Sequence, residues 1–365
     1  VAGSAGTAML LAALLLTGGA HALRDGAATA ASLLGAPGST AVASAMLAIA
    51  VWILHEALAV PFSWYLGFSL EHRYGLSRQR LVQWARDHAR ASALSLVVFV
   101  ASVVFVYWAI GVWSRGWWVL VWVAGVSASV ALAWAAPLVL MPLFFTFRPL
   151  TDQSLRQRLT GLASRAGAPV LDVFEWRLSD RTRRGTAALT GLASTRRVIV
   201  SDTLVADYSP DEIEVVLAHE LAHHVHRDLW KTLALDAVLM GMGLWAASLL
   251  LPAVTGPLKL EGIDDQGGLP FLLLLTLGWT VLSLPLANAV SRAHERRADA
   301  FALDLTGKPE SFISALRRLA AQNLAEESPS AFARAFFATH PSFDERLAGA
   351  HDWVRRRSQA AAGTS

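Results

Sequence analysis

Two histidines, His219 and His223, stand four residues apart with a glutamate, Glu220, directly after the first, in the pattern H-E-x-x-H. On an α-helix, four residues advance about 400°, so the two imidazoles lie about 40° apart around the helix and about 6 Å apart along it. Both can therefore reach one metal ion from one face, with Glu220 beside them as a candidate general base. Because the pattern also arises by chance on surface helices, a metal site needs further residues from elsewhere in the chain.

The residues before the motif predict the helix that carries it. Ser209, Pro210 and Glu212 match an N-cap, a proline at the first helical position and a capping-box glutamate. Apolar residues then recur at helical spacing, namely Ile213, Val216, Leu217, Leu221 and Val225. We expect the same helix to reach Asp228, about 180° around from His219, which favours a role at the helix end or beside the ligands over ligation.

A catalytic zinc usually has three protein ligands and a water molecule. The chain has no cysteine, so the third ligand must be a histidine or a carboxylate. In residues 291–299, Glu295 and Asp299 stand four apart and share one face of a predicted helix. Glu295 would bind zinc, and Asp299 would accept a hydrogen bond from a ligating imidazole. His294 is a rival ligand about 100° off that face, and a solvated helix end after a membrane span is the alternative interpretation.

Composition and hydropathy indicate an integral membrane protein. Hydrophobic residues make up 54% of the chain and charged residues only 16%, against about 25% charged in a soluble domain. Six apolar stretches are long enough to cross a bilayer, at residues 5–23, 42–60, 92–112, 117–140, 233–251 and 269–289. A cleaved signal peptide is the alternative for the first, and residues 24–40 are expected to form a loop.

Charge predicts the topology and excludes one class of partner. The net charge is only +3, and no basic stretch alternates with aromatic residues, so we expect no nucleic-acid partner. Nearly all arginines fall in residues 70–90, in residues 151–227 and in the C-terminal part. The positive-inside rule then places both termini and the polar insert in the cytoplasm.

The predicted fold is a mostly α membrane protein with about six transmembrane helices and a cytoplasmic α+β zinc-metalloprotease domain that contains a small sheet. Its predicted parts are four spans with a basic loop at about 64–91 (1–147), a polar catalytic insert (148–229), spans five and six (230–290), and a C-terminal helical part (291–365). Within the insert, we expect a helix at 155–166 and strands at 170–176, 186–191 and 197–200.

Several sequence blocks together resemble one enzyme family. The blocks are residues 71–80, 197–204, 219–223, 291–302 and 340–347, the last beginning His-Pro-Ser-Phe-Asp-Glu-Arg-Leu. In them the chain resembles the CAAX prenyl protease type I family of integral-membrane zinc endopeptidases, whose relatives include bacterial heat-shock membrane metalloproteases. The arginine-rich and alanine-rich composition favours a bacterial member.

The resemblance implies a role for each matching residue. His219, His223 and Glu295 would hold one Zn²⁺ per chain, with Glu220 as the base. His340 would donate to the oxyanion of the tetrahedral intermediate, with Arg346 supporting it nearby. From the residues alone, a histidine before a proline in a C-terminal loop is better explained as a helix cap.

The resemblance also implies that substrate pairs with an edge strand beside the site. In the family that strand has the pattern Asn-Ala-Tyr-x-x-Gly, and the corresponding residues include Thr186, Ala187, Ala188 and Gly191. The asparagine and tyrosine are replaced here, which leaves the family's side-chain contacts in doubt. Backbone pairing needs no particular side chain and would survive.

These observations predict a membrane-embedded zinc endopeptidase. Its expected substrates are prenylated CAAX-like peptides or other membrane-associated or misfolded peptides, and its expected partners are that peptide or protein, possibly lipidated, and the lipid bilayer. One alternative is a site-2-type intramembrane protease, whose motif would lie within an apolar span. Another is a zinc-stabilised membrane scaffold or chaperone, which would need neither Glu220 nor His340.

Overall fold

The computed structural model describes residues 2–136, 139, 141–190, 196–323 and 330–362. These residues form two compact units. The first comprises Val1–Arg73, Arg80–Ser129 and Asp236–Ser283, and the second comprises Tyr74–Gln79, Val130–Leu235 and Leu284–Ser365. The domain boundaries predicted from the sequence stay a prediction.

Helices dominate the described residues. In chain order the helices and strands are α1 (Ala2–Leu16), α2 (Gly19–Leu33), α3 (Thr40–Trp64), a π-helical turn (Tyr65–Leu70), α4 (Glu71–Arg73), α5 (Leu81–Val112), α6 (Trp117–Ala135), α7 (Met141–Phe144), β1 (Phe147–Pro149), α8 (Gln153–Arg165), β2 (Asp172–Trp176), β3 (Ala187–Thr190), β4 (Arg197–Ser201), α9 (Asp202–Asp207), α10 (Pro210–Val225), α11 (Asp228–Val254), a 3₁₀ turn (Gln266–Gly268), α12 (Leu269–Thr306), α13 (Pro309–Asn323), α14 (Ala331–Phe337) and α15 (Phe343–Ala362).

The first unit is a helical membrane unit. Among the described residues, five helices are long and apolar enough to cross a bilayer, with α1 and α2 forming a sixth crossing if the bent pair is one span. The five are Thr40–Arg73, Leu81–Val112, Trp117–Ala135, Asp228–Val254 and Gln266–Thr306. The core of the unit is formed by buried side chains that include Leu47, Val51, Val103, Ile110, Trp117 and Leu251. The prediction of a mostly α protein with about six membrane helices is confirmed.

The first predicted span, at residues 5–23, is wrong as a single helix. Gly18 lies in the left-handed region at φ 77°, and α1 and α2 meet there at 82°. Glycine adopts this conformation without the clash that a Cβ would cause, so it ends α1. The predicted loop at residues 24–40 is also wrong up to Leu33, because its many alanines favour helix and α2 continues through them.

The second unit contains a four-stranded sheet in the order β1-β2-β4-β3. The central pair, β2 and β4, is parallel, and both outer strands run antiparallel to their neighbours. The small sheet and the three strands predicted from the sequence are confirmed, with β3 at an edge. The sequence analysis does not predict β1, because its three residues are too few to show an alternating pattern.

Helices α8 and α10 contact the sheet and close the core of the second unit. Leu159, Leu162, Ile213, Leu217 and Leu221 are at most 1% exposed in this core. Because residues 213, 217 and 221 lie on one side of α10, they fix the rotation of the helix about its axis. The predicted helix at 155–166 is confirmed as α8, Gln153–Arg165.

The helix that carries H-E-x-x-H begins as predicted and ends earlier than predicted. Ser209 and Glu212 form the capping box, with Ser209 N–H donating to Glu212 Oε2 at 2.8 Å. The helix α10 stops at Val225, and Arg227 lies in the left-handed region at φ 56°. Continuation of one helix to Asp228 is therefore wrong, because a left-handed residue ends a helix. Asp228 begins α11 on a new axis.

Candidate metal centre

Three side chains from two helices meet at one point. His219 and His223 of α10 place their Nε2 atoms 3.3 Å apart. Glu295 of α12 places Oε2 3.2 Å from His219 Nε2 and Oε1 3.4 Å from His223 Nε2. One ligand atom from each residue lies within 4.8 Å of the others. Among the described residues, this is the one group of three or more that could hold a metal ion in this way.

The far side of each imidazole faces a carboxylate. His219 Nδ1 lies 2.9 Å from Asp299 Oδ1, and His223 Nδ1 lies 3.0 Å from Asp228 Oδ2. A carboxylate accepts hydrogen bonds, so each Nδ1 carries the proton and each Nε2 presents a lone pair. With both imidazoles neutral, two lone pairs and a carboxylate then converge. That arrangement is unfavourable unless a cation lies between these atoms.

The separations among the donor atoms fit zinc. With Zn–N and Zn–O bonds of about 2.0–2.1 Å in a tetrahedron, neighbouring ligand atoms lie about 3.3 Å apart. The three separations here are 3.3, 3.2 and 3.4 Å. Two imidazoles and one carboxylate are also a ligand set of catalytic zinc sites that leave the fourth position open. His219, His223 and Glu295 therefore suit a zinc ion in chemistry and in spacing.

The local electrostatics favour positive charge at this point. Burial lowers the pKa of His219, but hydrogen bonds with Asp299 and Glu295 outweigh it and raise the pKa to about 9. Burial likewise lowers the pKa of His223, and hydrogen bonds with Glu295 and Asp228 reverse the shift and raise it. Since these carboxylates stabilise a cation on the imidazoles, they also favour a metal cation between them.

Two arginines hold the carboxylates behind the imidazoles. Arg346 of α15 forms a two-pronged pair with Asp299, with Nε at 2.8 Å from Oδ2 and Nη2 at 2.5 Å from Oδ1. Arg297 of α12 donates to Asp228 Oδ1. A bidentate guanidinium fixes the plane of a carboxylate, and the carboxylate in turn fixes the tautomer of the histidine. Arg346 was expected to support His340, and its direct contact is with Asp299.

Glu220 lines a cavity of about 450 Å³ together with His219, Glu295, His340 and Arg346. Burial raises the pKa of Glu220, and the two neighbouring imidazoles oppose the shift. A carboxyl group whose pKa lies above its ordinary value is a better proton acceptor once ionised, because basicity rises with pKa. The cavity therefore brings a candidate base into the same space as the three ligand-type residues.

His340 lies in the loop before α15, and its side chain is 62% exposed. Its Nδ1 lies 2.8 Å from Glu295 Oε2. The predicted oxyanion donor is thus next to the candidate ligands, on the cavity side. A helix cap by His340 was the alternative, and the N-terminus of α15 is instead served by Ser342, whose Oγ accepts from Glu345 N–H at 3.2 Å.

The strand predicted to pair with substrate is β3, and its pairing with β4 determines which of its backbone groups are free for a substrate. Thr186 accepts from Ser201 N–H at 2.9 Å, so its carbonyl points toward β4. Along an antiparallel strand, the backbone N–H and C=O groups of successive residues point alternately toward and away from the neighbouring strand. The backbone groups of Ala188 therefore also point toward β4, and those of Ala187 and Leu189 point away from it. Thr186 and Ala188 are therefore unsuited to backbone pairing with a substrate. Gly191 lies outside the described residues.

A position of Asp228 beside the ligands, one of the two expected from the sequence, is confirmed by its contact with His223, whereas Arg297 was not expected there. The expectation for Asp228 assumed one continuous helix, which would direct this carboxylate away from the face that carries His219. Only the break at Arg227 brings Asp228 to the His223 imidazole. His294, the rival ligand, places Nε2 3.9 Å from Asp228 Oδ1 and is not among the three converging residues.

The fold and the site define a multi-pass integral membrane zinc metalloprotease. The chain belongs to peptidase family M48, whose model matches residues 149–354, more than half of the chain. A second model, described as the CAAX prenyl protease N-terminal part with five membrane helices, matches residues 2–146. The resemblance to the CAAX prenyl protease family stated from the sequence is confirmed, as is the assignment as a zinc metalloprotease.

Individual relatives agree with the family assignment. An uncharacterised metalloprotease of Bacillus subtilis, YhfN, is 29% identical over 81% of this chain and 70% of its own length. A CAAX prenyl protease 1 homologue of Arabidopsis thaliana is 30% identical over 79% of this chain and 68% of its own. The crystal structure of S. mikatae Ste24p superposes with a TM-score of 0.78 at 22% identity, covering 86% of this chain and 77% of that one, which shows a common fold.

Proposed function

We propose that the chain hydrolyses peptide bonds in membrane-associated substrates, with His219, His223 and Glu295 holding zinc and Glu220 acting as general base. The observation that carries the proposal is the set of three donor separations, 3.2–3.4 Å, beside a glutamate in the same cavity. A zinc ion in this position would lower the pKa of water to about 7 and polarise the substrate carbonyl.

The proton transfers belong to Glu220. Its carboxylate accepts a proton from the attacking water and returns that proton to the leaving amine, so that the peptide nitrogen departs neutral. The raised pKa of Glu220 suits both steps, because the group must first bind the proton and then release it.

His340 and Arg346 act at different distances from the substrate. His340 is exposed to the cavity and donates a hydrogen bond to the carbonyl oxygen as negative charge develops on it. Arg346 acts through Asp299, which keeps the His219 imidazole in the tautomer whose Nε2 is free to bind a metal.

The substrate backbone would extend the sheet at β3. The outward groups of Ala187 and Leu189 offer hydrogen-bonding partners to an added strand, which aligns a peptide in an extended conformation. Extended binding exposes one peptide bond at a time to the general base.

The cavity wall favours an apolar substrate side chain. Opposite Glu220 and His340 it is lined by apolar residues of α13, including Phe312, Leu316 and Leu319. Prenylated CAAX-like peptides and other membrane-associated or misfolded peptides meet this requirement. The arginine distribution supports a cytoplasmic position of the site, and the similarity to the Bacillus subtilis relative supports a bacterial cell membrane.

The two alternatives have less support. A site-2-type protease would carry its motif in an apolar span, whereas α10 has 16 residues, carries Asp211 and Glu212 in its first turn, and is not among the candidate spans. A zinc-stabilised scaffold would not need a base next to the zinc ligands, and Glu220 is there.

The test is Glu220→Gln in purified protein reconstituted into lipid nanodiscs. We expect zinc to stay near one per chain and kcat for a fluorogenic peptide to fall by about 10²–10⁴-fold, the range for loss of general base catalysis. Glu310→Gln, an exposed residue in the first turn of α13, makes the same chemical change away from the site and should keep wild-type activity. Wild-type turnover by a zinc-loaded Glu220→Gln variant would refute the proposal and favour the scaffold.

A further inference from the structure

The apolar part of α12 ends at a defined point. Residues 269–291 contain no charged side chain, and Arg292 is the first charge after them. At 1.5 Å per residue this run is about 34 Å long, slightly more than the roughly 30 Å hydrocarbon core of a bilayer. Arg292 therefore lies at the boundary between hydrocarbon and headgroups.

The short helix α14 is fixed to α12 at that boundary. Asn288 Nδ2 donates to the carbonyl of Ala335 at 3.0 Å. Arg292 Nη1 donates to the carbonyls of Arg334 and Ala338 at 2.8 and 2.7 Å. These carbonyls are the unsatisfied groups at the C-terminal end of a helix, so α12 caps α14 through its backbone. The contacts leave the aromatic side chains of α14 free to face outward.

Those side chains form an exposed aromatic cluster. Phe332 is 64% exposed and Phe337 55% exposed, and Phe332 packs on Phe336 with ring centroids 4.7 Å apart. A helix of seven residues with three phenylalanines that contact one another presents a concentrated apolar surface. Leu286, two residues before Asn288 on α12, is 52% exposed as well. The aromatic cluster and Leu286 thus both expose large apolar side chains close to the residues at which the apolar run of α12 ends.

We propose that α14 is a membrane-interface anchor, whose Phe332, Phe336 and Phe337 enter the boundary of the bilayer that α12 crosses. The occupant of this surface is lipid. Aromatic residues are favoured at this depth, and their burial removes apolar area from water. Arg334 remains on the water side, where it pairs with Glu345 at 2.8 Å.

The anchor would restrain the segment that follows it in the chain, which carries His340 of the metal centre. Ala338, whose carbonyl binds Arg292, stands two residues before His340. With α14 held in the interface and Ala338 held by α12, the segment that carries His340 is tethered on the membrane side.

The chain has no cysteine, so one introduced cysteine gives one spin label. We would label Phe332→Cys and Phe337→Cys in nanodiscs and measure accessibility to oxygen, which concentrates in lipid, and to Ni(II)EDDA, which stays in water. Leu286→Cys is the lipid-facing reference. Ser164→Cys, at an exposed position of the polar helix α8, is the water-facing reference.

We expect the labels at residues 332 and 337 to be several-fold more accessible to oxygen than to Ni(II)EDDA, as at residue 286, with the reverse at residue 164. A label at 332 that behaves as at 164 would overturn the proposal. Shielding from both reagents would also overturn it, since protein and not lipid would then cover the surface.

A second measurement uses the unmodified protein, so it does not depend on the folding of a variant. The wild-type chain is reconstituted with a diazirine phospholipid whose reactive group lies near the glycerol backbone, irradiated and digested. We expect adducts on α14 at several times the yield found on α8. Equal yields on the two helices would contradict the anchor.

Discussion

In the part of the chain that the structure describes, two clusters combine histidine with glutamate across two helices, and one of them has the geometry of a metal site. In the second unit, His219, His223 and Glu295 present three acceptor atoms to one another. In the first unit, Glu56 of α3 accepts from His88 Nε2 at 2.8 Å and from Ser92 Oγ at 2.5 Å.

The difference lies in where the protons are. At Glu56 every contact joins a donor to an acceptor, so the network is complete with protein atoms alone. At Glu295 the Nδ1 atoms of the two imidazoles face Asp299 and Asp228, so the Nε2 atoms that face Glu295 need a cation when the imidazoles are neutral. The same residue types thus give a structural hydrogen-bond network in one place and a ligand set in the other.

The sharpest test of this comparison removes the glutamate from each cluster. Glu295→Gln loses a charged ligand, so we expect zinc to fall from one per chain to near zero and peptidase activity to fall by on the order of 10³-fold or more. Glu56→Gln should keep both. Zinc content is measured by inductively coupled plasma mass spectrometry, and activity is measured with a fluorogenic peptide. Loss of zinc from Glu56→Gln would break the comparison.

A smaller effect is expected from the exposed histidine. His340→Ala removes a donor to the developing oxyanion, so kcat should fall by about 10²–10³-fold while KM and zinc content change little. The matched change His88→Ala should leave kcat unaltered and lower thermal stability. If His340→Ala chiefly lowered zinc content, its contact with Glu295 would be the important one.

The carboxylate behind the His223 imidazole gives a third prediction. Asp228→Asn removes the charge of the group that contacts Nδ1 of the His223 imidazole. We expect zinc affinity, measured in competition with a chelator, to fall by about 10–100-fold. Asp236→Asn, further along α11, is the control and should bind zinc as the wild type does. Unchanged affinity in Asp228→Asn would mean that His223 needs no support.

The smallest effect is expected at Ser92. Ser92→Ala removes one of the two hydrogen bonds to Glu56, which should lower the free energy of unfolding by about 1 kcal/mol. The thermal midpoint would then fall by no more than a few degrees, with zinc content and activity unchanged. A change in activity would show that the two clusters are coupled.

Much of this protein could be predicted because the relevant interactions are local. The capping box at Ser209 and the apolar spacing of α10 fix a helix, and the helix fixes the two histidines on one face. Long apolar runs predicted five spans closely. The prediction failed where a single residue changes the chain direction, at Gly18 and at Arg227, because a left-handed residue leaves hydropathy unchanged.

By itself the sequence determined the pair His219 and His223, the adjacent Glu220 and the apolar helices, all of which follow from spacing along one element. Only the tertiary structure decided that Glu295 meets the two histidines and that Asp228 contacts His223. It also decided that the backbone groups of Ala187 and Leu189 point away from β4. These depend on how separate elements pack and pair, and the free energy of packing is summed over many contacts that no short pattern of residues records.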